Sequence, residues 1–143
     1  MEDLGAGPVA VDTAVFIYFA EENPTFLPLA SQLFTAADRG GMEVVTSEIT
    51  LLEVLVVPYR AGNLPLAARY EALLTRSRGV RLVRLDRTLL RAAAQLRAVH
   101  GVRTPDALQL AAALTARCSA FVTNDRRLPT LPGLPAVQLS DYA

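Results

Sequence analysis

The chain alternates short apolar runs with longer stretches in which apolar residues recur every three or four positions. Short runs bounded by turn residues are typical of buried strands, and the longer pattern is typical of amphipathic helices. We predict strands at residues 8–11, 42–45, 80–85 and 120–123, and a last edge strand at 136–139. Helices are predicted at residues 14–20, between Pro24 and Arg39, from Thr46-Ser47 towards Pro58, at 64–76, from Asp86 to His100, and from Thr104 to 114.

Strands that alternate with helices predict an α/β fold with a central, mostly parallel sheet between two helical layers, giving a three-layer α/β/α arrangement. The length of 143 residues fits one domain spanning residues 1–143. The start of the last helix is well marked, because Thr104 can act as its N-cap, Pro105 can occupy its first position and Asp106 places an acid in its first turn. In parallel sheets, ligands bind beyond the carboxyl ends of the strands, so we look for functional residues there.

The composition favours a soluble protein with a large core. Hydrophobic residues make up 52% of the chain, which makes disorder unexpected. No apolar run reaches the roughly 18 residues that a transmembrane helix requires. The first residues are acidic where a signal peptide would be basic. We therefore expect a cytoplasmic protein without a membrane partner.

The charged and reactive residues exclude several kinds of site. All 14 basic residues are Arg, so neither a phosphate-binding loop with its Lys nor a Schiff-base enzyme is available. One His and one Cys exclude a Cys/His zinc site, which needs about four such ligands. Basic and acidic residues balance at 14 each, which by itself counts against strong nonspecific attraction to nucleic acid.

Four acids lie where surface charge does not readily explain them. Asp12 and Asp125 follow predicted buried strands, Asp106 begins the last helix, and Glu53 lies in a largely apolar stretch. Each has another explanation: Asp12 could cap the following helix, Asp106 could serve the helix dipole, and Asp125 could form an Asx turn. Glu53 could pair with Arg60 or lie at a helix edge facing water.

Considered together, these acids point to a metal site. Carboxylates that converge at one edge of a sheet repel one another strongly unless a cation lies among them. Ligands that offer only oxygen favour a hard ion, Mg²⁺ or Mn²⁺, which activates water and stabilises charge on a phosphodiester. His100, at a predicted helix end, fits a surface residue that interacts with the helix dipole.

Four segments of the chain resemble the PIN-domain nucleases, in particular the VapC-type toxins of bacterial toxin–antitoxin pairs. The segments are VAVDT at residues 9–13, TSEITLLEVL at 46–55, RTPDALQLAAA at 103–113 and FVTNDRRL at 121–128. They follow the order of the family and are spread over nearly the whole chain. The resemblance implies a PIN-like fold and an endoribonuclease that cleaves RNA through water activated by Mg²⁺ or Mn²⁺.

The resemblance also assigns roles to individual residues. Asp12, Glu53 and Asp106 match the core acids of the family, and Asp125 matches a fourth acid that is more variable. Residues implied to line the site or to meet substrate are Thr104, Thr123 and Asn124. Homodimers and a small antitoxin partner, which often places an Arg in the acidic site, are implied as well.

Separately from the resemblance, Arg126 and Arg127 follow Asp125 directly and are candidate phosphate contacts. An ordinary solvated pair of charges is the other interpretation. With the four acids set aside, the basic residues exceed the remaining acids by four. A neutral chain is therefore compatible with an acidic site inside a mildly basic surface.

Two other functions compete with the nuclease. A PIN-like module could hold RNA or a protein without cutting, although the intact acids give that reading little support. Asp12 could instead be the nucleophile of a phosphoryl-transfer enzyme. Phosphatases of the haloacid-dehalogenase type require a second Asp two residues after the nucleophile, where this chain has Ala14. They also usually use a Lys, which this chain lacks.

Overall fold

Five parallel strands form one sheet in the computed structural model, which describes residues 4–143. The strands are β1 (Val9–Val11), β2 (Val44–Ser47), β3 (Val80–Val83), β4 (Ala120–Thr123) and β5 (Ala136–Gln138). Their order across the sheet is β3-β2-β1-β4-β5, and every neighbouring pair is parallel. The carboxyl ends of all five strands therefore lie at one edge, and β1 occupies the centre.

Six α-helices and a short terminal 3₁₀ helix connect and follow these strands. The α-helices are α1 (Thr13–Ala20), α2 (Leu27–Asp38), α3 (Ile49–Arg60), α4 (Leu64–Arg76), α5 (Arg87–His100) and α6 (Thr104–Thr115). The 3₁₀ helix spans Leu139–Tyr142. Within residues 4–143, none of these helices combines the length and the apolar character needed to cross a bilayer.

Alternate residues of the central strands pack into two separate hydrophobic clusters, one on each face of the sheet. Val9 and Val11 of β1 join a cluster with residues of α1, α2 and α4. Ala10 of the same strand joins a second cluster built largely from α5 and α6. Since side chains alternate across a strand, the two clusters lie on opposite faces. This confirms the predicted three-layer arrangement and explains why β1 is apolar at every position.

The structure corrects two predicted helix starts. Thr46 and Ser47 were expected to open a helix, but they belong to β2, because β3 continues to pair with them through Leu82 and Val83. Helix α3 begins only at Ile49. Thr104 was expected to be the N-cap of α6, but it is the first helical residue, preceded by Arg103 at the N-cap. 

Helix α3 also continues through Pro58 to Arg60, two residues beyond the limit suggested by the sequence. The predicted last edge strand is present as β5.

Candidate active site

The four candidate acids approach the carboxyl edge of the sheet from different elements. Asp12 follows β1 directly and is the N-cap of α1. Glu53 lies on α3, the helix that follows β2. Asp106 lies in the first turn of α6, and Asp125 comes two residues after β4. Because β1 lies between β2 and β4, Asp12 occupies the middle of the group.

The Asp12 carboxylate is held by two hydrogen bonds and is partly buried. Burial raises its pKa, hydrogen bonds from Thr123 and from the Thr13 backbone oppose that rise, and the charges of Asp106 and Glu53 add to it. Its Oδ1 accepts from the Thr13 backbone N–H at 2.8 Å, and its Oδ2 accepts from the Thr123 hydroxyl at 2.8 Å. The carboxylate is thus fixed in orientation, partly desolvated and close to two other acids, which is a setting that favours a bound cation.

Glu53 is half-buried and points towards Asp12 rather than towards Arg60. Its Oε1 accepts a hydrogen bond of 2.7 Å from the hydroxyl of Thr13, the residue next to Asp12. Among the residues that the structure describes, no ion pair joins Glu53 to Arg60. The alternative in which Arg60 neutralises Glu53 is therefore not what the structure contains.

A buried network of hydroxyl groups and one amide supports this contact. Gln109 of α6 donates through Nε2 to Thr50 at 2.7 Å and to Thr13 at 3.1 Å. Its Oε1 accepts from the backbone N–H of Ser47 and from the hydroxyl of Thr46, both at 3.2 Å. All five residues are buried.

The network determines which way the Thr13 hydroxyl points. A backbone N–H can only donate, so Ser47 fixes the oxygen side of the Gln109 amide and turns its NH₂ group towards Thr13. The Thr13 oxygen already accepts from that amide, and its own hydrogen is left to donate to Glu53. Gln109 therefore helps to orient Glu53 through Thr13.

Asp106 and Asp125 form the other half of the site, together with two arginines. Burial and the charge of Asp125 raise the pKa of Asp106, while Arg103 and Arg127 oppose the rise. Arg127 instead lowers the pKa of Asp125, because its Nε lies 3.0 Å from Oδ1 and its Nη2 lies 3.1 Å from Oδ2. The backbone N–H of Arg127 also donates to Oδ1 at 2.9 Å, so Asp125 makes the Asx-type turn considered from the sequence.

The remaining candidate residues have different surroundings. Thr123 is buried, and besides its bond to Asp12 it accepts from the backbone N–H of Asp125 at 3.0 Å. Asn124 donates to the Tyr18 hydroxyl at 3.2 Å and accepts from the Ser140 backbone, which attaches the C-terminal turn to the rim of the site.

Two candidates lie apart from the Asp12 carboxylate. The Thr104 hydroxyl accepts from Arg97 at 3.0 Å at the start of α6. Arg126 bonds to Asp141 and Ser140 in the C-terminal turn. Among the residues that the structure describes, it forms no ion pair with the four candidate acids, unlike Arg127.

Sequence reasoning passed over Thr13, Thr50, Gln109 and Arg103. Gln109 carried a usable signal, since it is a polar residue within an apolar helical run, which is the argument that selected Glu53. Arg103 carried none, because an Arg before a helix is ordinarily a solvated charge.

The donor set suits a hard divalent ion, held by few protein ligands. Within residues 4–143, no group of three or more acids, histidines or cysteines is close enough to hold one metal ion. Mg²⁺ is usually bound through one or two carboxylates, with waters and substrate phosphates completing its shell. Asp12 with Glu53 or Asp106 offers such a pair, and the mutual repulsion of these acids is what an ion would relieve.

Comparison with known proteins gives one family and a set of similar folds. The sequence matches the PIN domain family over residues 9–134. No curated protein matches it significantly. A toxin–antitoxin complex from Klebsiella pneumoniae is similar in structure, with 20% identity, coverage of 88% of this chain and 94% of that chain, and a TM-score of 0.65.

Two further solved structures are similar over most of their length. VapBC2 from Rickettsia felis, bound to a DNA fragment of its promoter, has 15% identity, a TM-score of 0.69 and coverage of 91% of this chain and 97% of that chain. Mycobacterium tuberculosis VapC20, described as a toxin that cleaves the sarcin–ricin loop, has 19% identity, a TM-score of 0.64 and coverage of 79% and 86%. At these identities the likeness concerns the fold.

Proposed function

The chain belongs to the PIN domain family, and from that premise we propose that it is an endoribonuclease dependent on Mg²⁺ or Mn²⁺. The observation that carries the proposal is the setting of Asp12, a desolvated carboxylate at the centre of the sheet edge with the charges of Glu53 and Asp106 beside it. Asp12, paired with Glu53 or Asp106, would hold the ion, with Asp125 at the rim. When bound, such an ion activates water and stabilises the charge that develops on a phosphodiester.

The protein itself contributes orientation. Thr123 and the Thr13 backbone hold the two oxygens of Asp12, so the carboxylate presents its remaining lone pairs in a fixed direction. Thr13 holds one oxygen of Glu53 in the same way and is itself held by Gln109. Catalytic groups fixed by supporting hydrogen bonds need no reorganisation during reaction, which is a large part of what such sites contribute.

Cleavage of a structured RNA tests this proposal. We expect cleavage with Mg²⁺ or Mn²⁺, none in EDTA, and a loss of about 100-fold or more for Asp12→Asn. Asp38→Asn is the matched control, because Asp38 is an exposed acid at the end of α2 whose removal changes the net charge by the same amount. Equal cleavage by wild type and Asp12→Asn would overturn the assignment, and RNA binding without turnover would favour a non-catalytic PIN-like module.

The proposed biological role is that of the toxin in a toxin–antitoxin pair. Support comes from the similar structures, one of which is described as a toxin–antitoxin complex and another as a member of a family of toxin–antitoxin systems. In this role the protein is a homodimer, and a small antitoxin covers the acidic site. Induced expression should arrest bacterial growth for wild type but not for Asp12→Asn, and sedimentation should give the mass of two chains. A small open reading frame beside the gene is expected, and its co-expression should restore growth.

A further inference from the structure

A cavity of about 310 Å³ opens directly beside the acidic site. It lies between the α5–α6 connection and the loop after β4, and Asp106 and Asp125 form the part of its wall that it shares with the site. Arg103, Arg127 and His100 also line it. The guanidinium groups of Arg103 and Arg127 therefore lie beside Asp106 and Asp125, in a cavity that Asp12 and Glu53 do not line.

The Arg103 guanidinium has N–H donors that are not used in hydrogen bonds within the described part of the chain. Its side chain is 72% exposed, and its Nε lies 3.9 Å from Oδ2 of Asp106, which is a charge contact but too long for a hydrogen bond. Within the described part of the chain, its guanidinium donates no hydrogen bond. A guanidinium carries five N–H donors, so Arg103, which lines the cavity, can still donate to a ligand that enters it.

Arg127 is held in place and still has donors free. Its side chain is 76% exposed. Its Nε and one N–H of Nη2 form a fork on Asp125, which leaves the other N–H groups for a further acceptor. The fork fixes the direction of the guanidinium, so an anion that meets it encounters a donor group that is already oriented.

We propose that Arg103 and Arg127 form a subsite for a backbone phosphate of single-stranded RNA, next to the phosphate that is cut. This deepens the proposed nuclease function and rests on it. Guanidinium groups bind both phosphates and carboxylates. A phosphate of the substrate strand is favoured because the cavity is continuous with the acidic site through Asp106 and Asp125, so a strand that crosses the acids continues past both arginines.

Binding can be measured without turnover. The probe is a short fluorescein-labelled oligouridylate, titrated with protein in EDTA over a series of salt concentrations and followed by anisotropy. The logarithm of affinity falls with the logarithm of salt concentration by about 0.7 for each phosphate contact on a single strand. We expect Arg103→Gln and Arg127→Gln each to weaken binding and to reduce that slope by about 0.7. Oligoadenylate should respond equally, since a phosphate contact carries no sequence information.

The neighbouring Arg126 provides a matched control. Arg126→Gln removes the same charge and also frees an acid, Asp141, just as Arg127→Gln frees Asp125. It should leave the slope unchanged, because Arg126 does not line the cavity. The double variant Asp125→Asn/Arg127→Gln keeps the net charge of the wild type, and we expect it to lose the contact as the single Arg127→Gln variant does.

Three outcomes would overturn the subsite. The first is that Arg126→Gln reduces the salt slope as much as Arg127→Gln does. The others are that Asp125→Asn/Arg127→Gln binds oligouridylate like the wild type, or that the wild type does not bind it. A loss of binding to polyglutamate but not to RNA in the two arginine variants would show that the cavity takes an acidic peptide instead. Because these measurements use EDTA, they do not depend on cleavage: failure of the nuclease assay would leave them readable, and their failure would leave a positive cleavage assay intact.

Discussion

Replacement of Gln109 by methionine would remove the amide that joins β2, α3 and α1 beneath the acidic site. Methionine has nearly the same length and volume, so the change leaves little cavity. It deletes four hydrogen bonds, two donated by Nε2 and two accepted by Oε1. The variant thus tests the network itself rather than the packing of α6.

The expected loss of stability depends on which hydrogen-bond partners of Gln109 can bond to another group when the amide is gone. The hydroxyls of Thr46 and Thr50 are already 2.7 Å apart and can bond to each other. The N–H of Ser47 cannot turn, and it lies beyond the last β1–β2 pair, Ala10↔Val45, where Gln109 takes the place of a strand partner. A buried donor left without its acceptor costs about 1–3 kcal/mol, and each lost hydrogen bond costs about 1 kcal/mol. The Ser47 donor and the lost bond at Thr13 together give an expected loss of about 2–4 kcal/mol. This is a large share of a typical total of about 5–15 kcal/mol.

Urea unfolding followed by circular dichroism measures this loss as a lower midpoint at constant slope. Gln95→Met is the matched control, since Gln95 is exposed on α5, and it should change stability by no more than about 0.5 kcal/mol. Under conditions where Gln109→Met is folded, its RNA cleavage should also be slower, because the Thr13 hydroxyl is no longer directed at Glu53. A loss below about 1 kcal/mol would refute the reasoning, since the network would then contribute little beyond one ordinary hydrogen bond.

Three further predictions concern the acids. Burial and neighbouring acids raise the pKa of Asp12 above 3.8 in the folded protein, so folding favours its protonated form. This contribution to stability is complete below pH 3.8 and is lost as the pH rises through the raised pKa of the folded state. In EDTA at neutral pH, Asp12→Asn should therefore melt at a higher temperature than the wild type, and the difference should vanish in acid; an unchanged difference at all pH values would contradict the shift. Addition of Mn²⁺ should raise the melting temperature of the wild type, with no rise for Asp12→Asn, since an ion that binds only the folded state stabilises it. Asp125→Asn should slow RNA cleavage less than Asp12→Asn, because Arg127 already occupies both oxygens of Asp125; equal losses would assign Asp125 a direct role at the metal.

The fold could be predicted from the sequence because its main signals are local. The runs that became β1 and β4 are apolar at every position and end at polar residues, which is the pattern of strands buried on both faces. Thr46 and Ser47 were misassigned because each is also a common N-cap residue, and only the pairing with β3 decides that they remain in the strand. That pairing depends on residues more than thirty positions away, and no local pattern contains it.

The acids of the site could be found for a related reason. A carboxylate in an apolar stretch or at a strand end conflicts with its surroundings, and such conflicts are visible without coordinates. The supporting residues do not conflict in this way. Thr13, Thr50 and Gln109 acquire their role only when α1, α3 and α6 meet, and Arg103 acquires its role only from the cavity beside it.

The central position of β1 has a consequence for the motions of the site. Asp12 follows the middle strand of the sheet, and its own backbone N–H donates to Val122 of β4 at 2.9 Å. Repulsion between Asp12 and its neighbouring acids therefore acts on the middle of the sheet, and Asp12 cannot relax by fraying of an edge strand. Amide hydrogens of β1 should exchange with solvent deuterium only through global unfolding, while those of the edge strand β5 exchange through smaller openings. The backbone at Asp12 would then keep its position, with or without an ion, until the whole molecule unfolds.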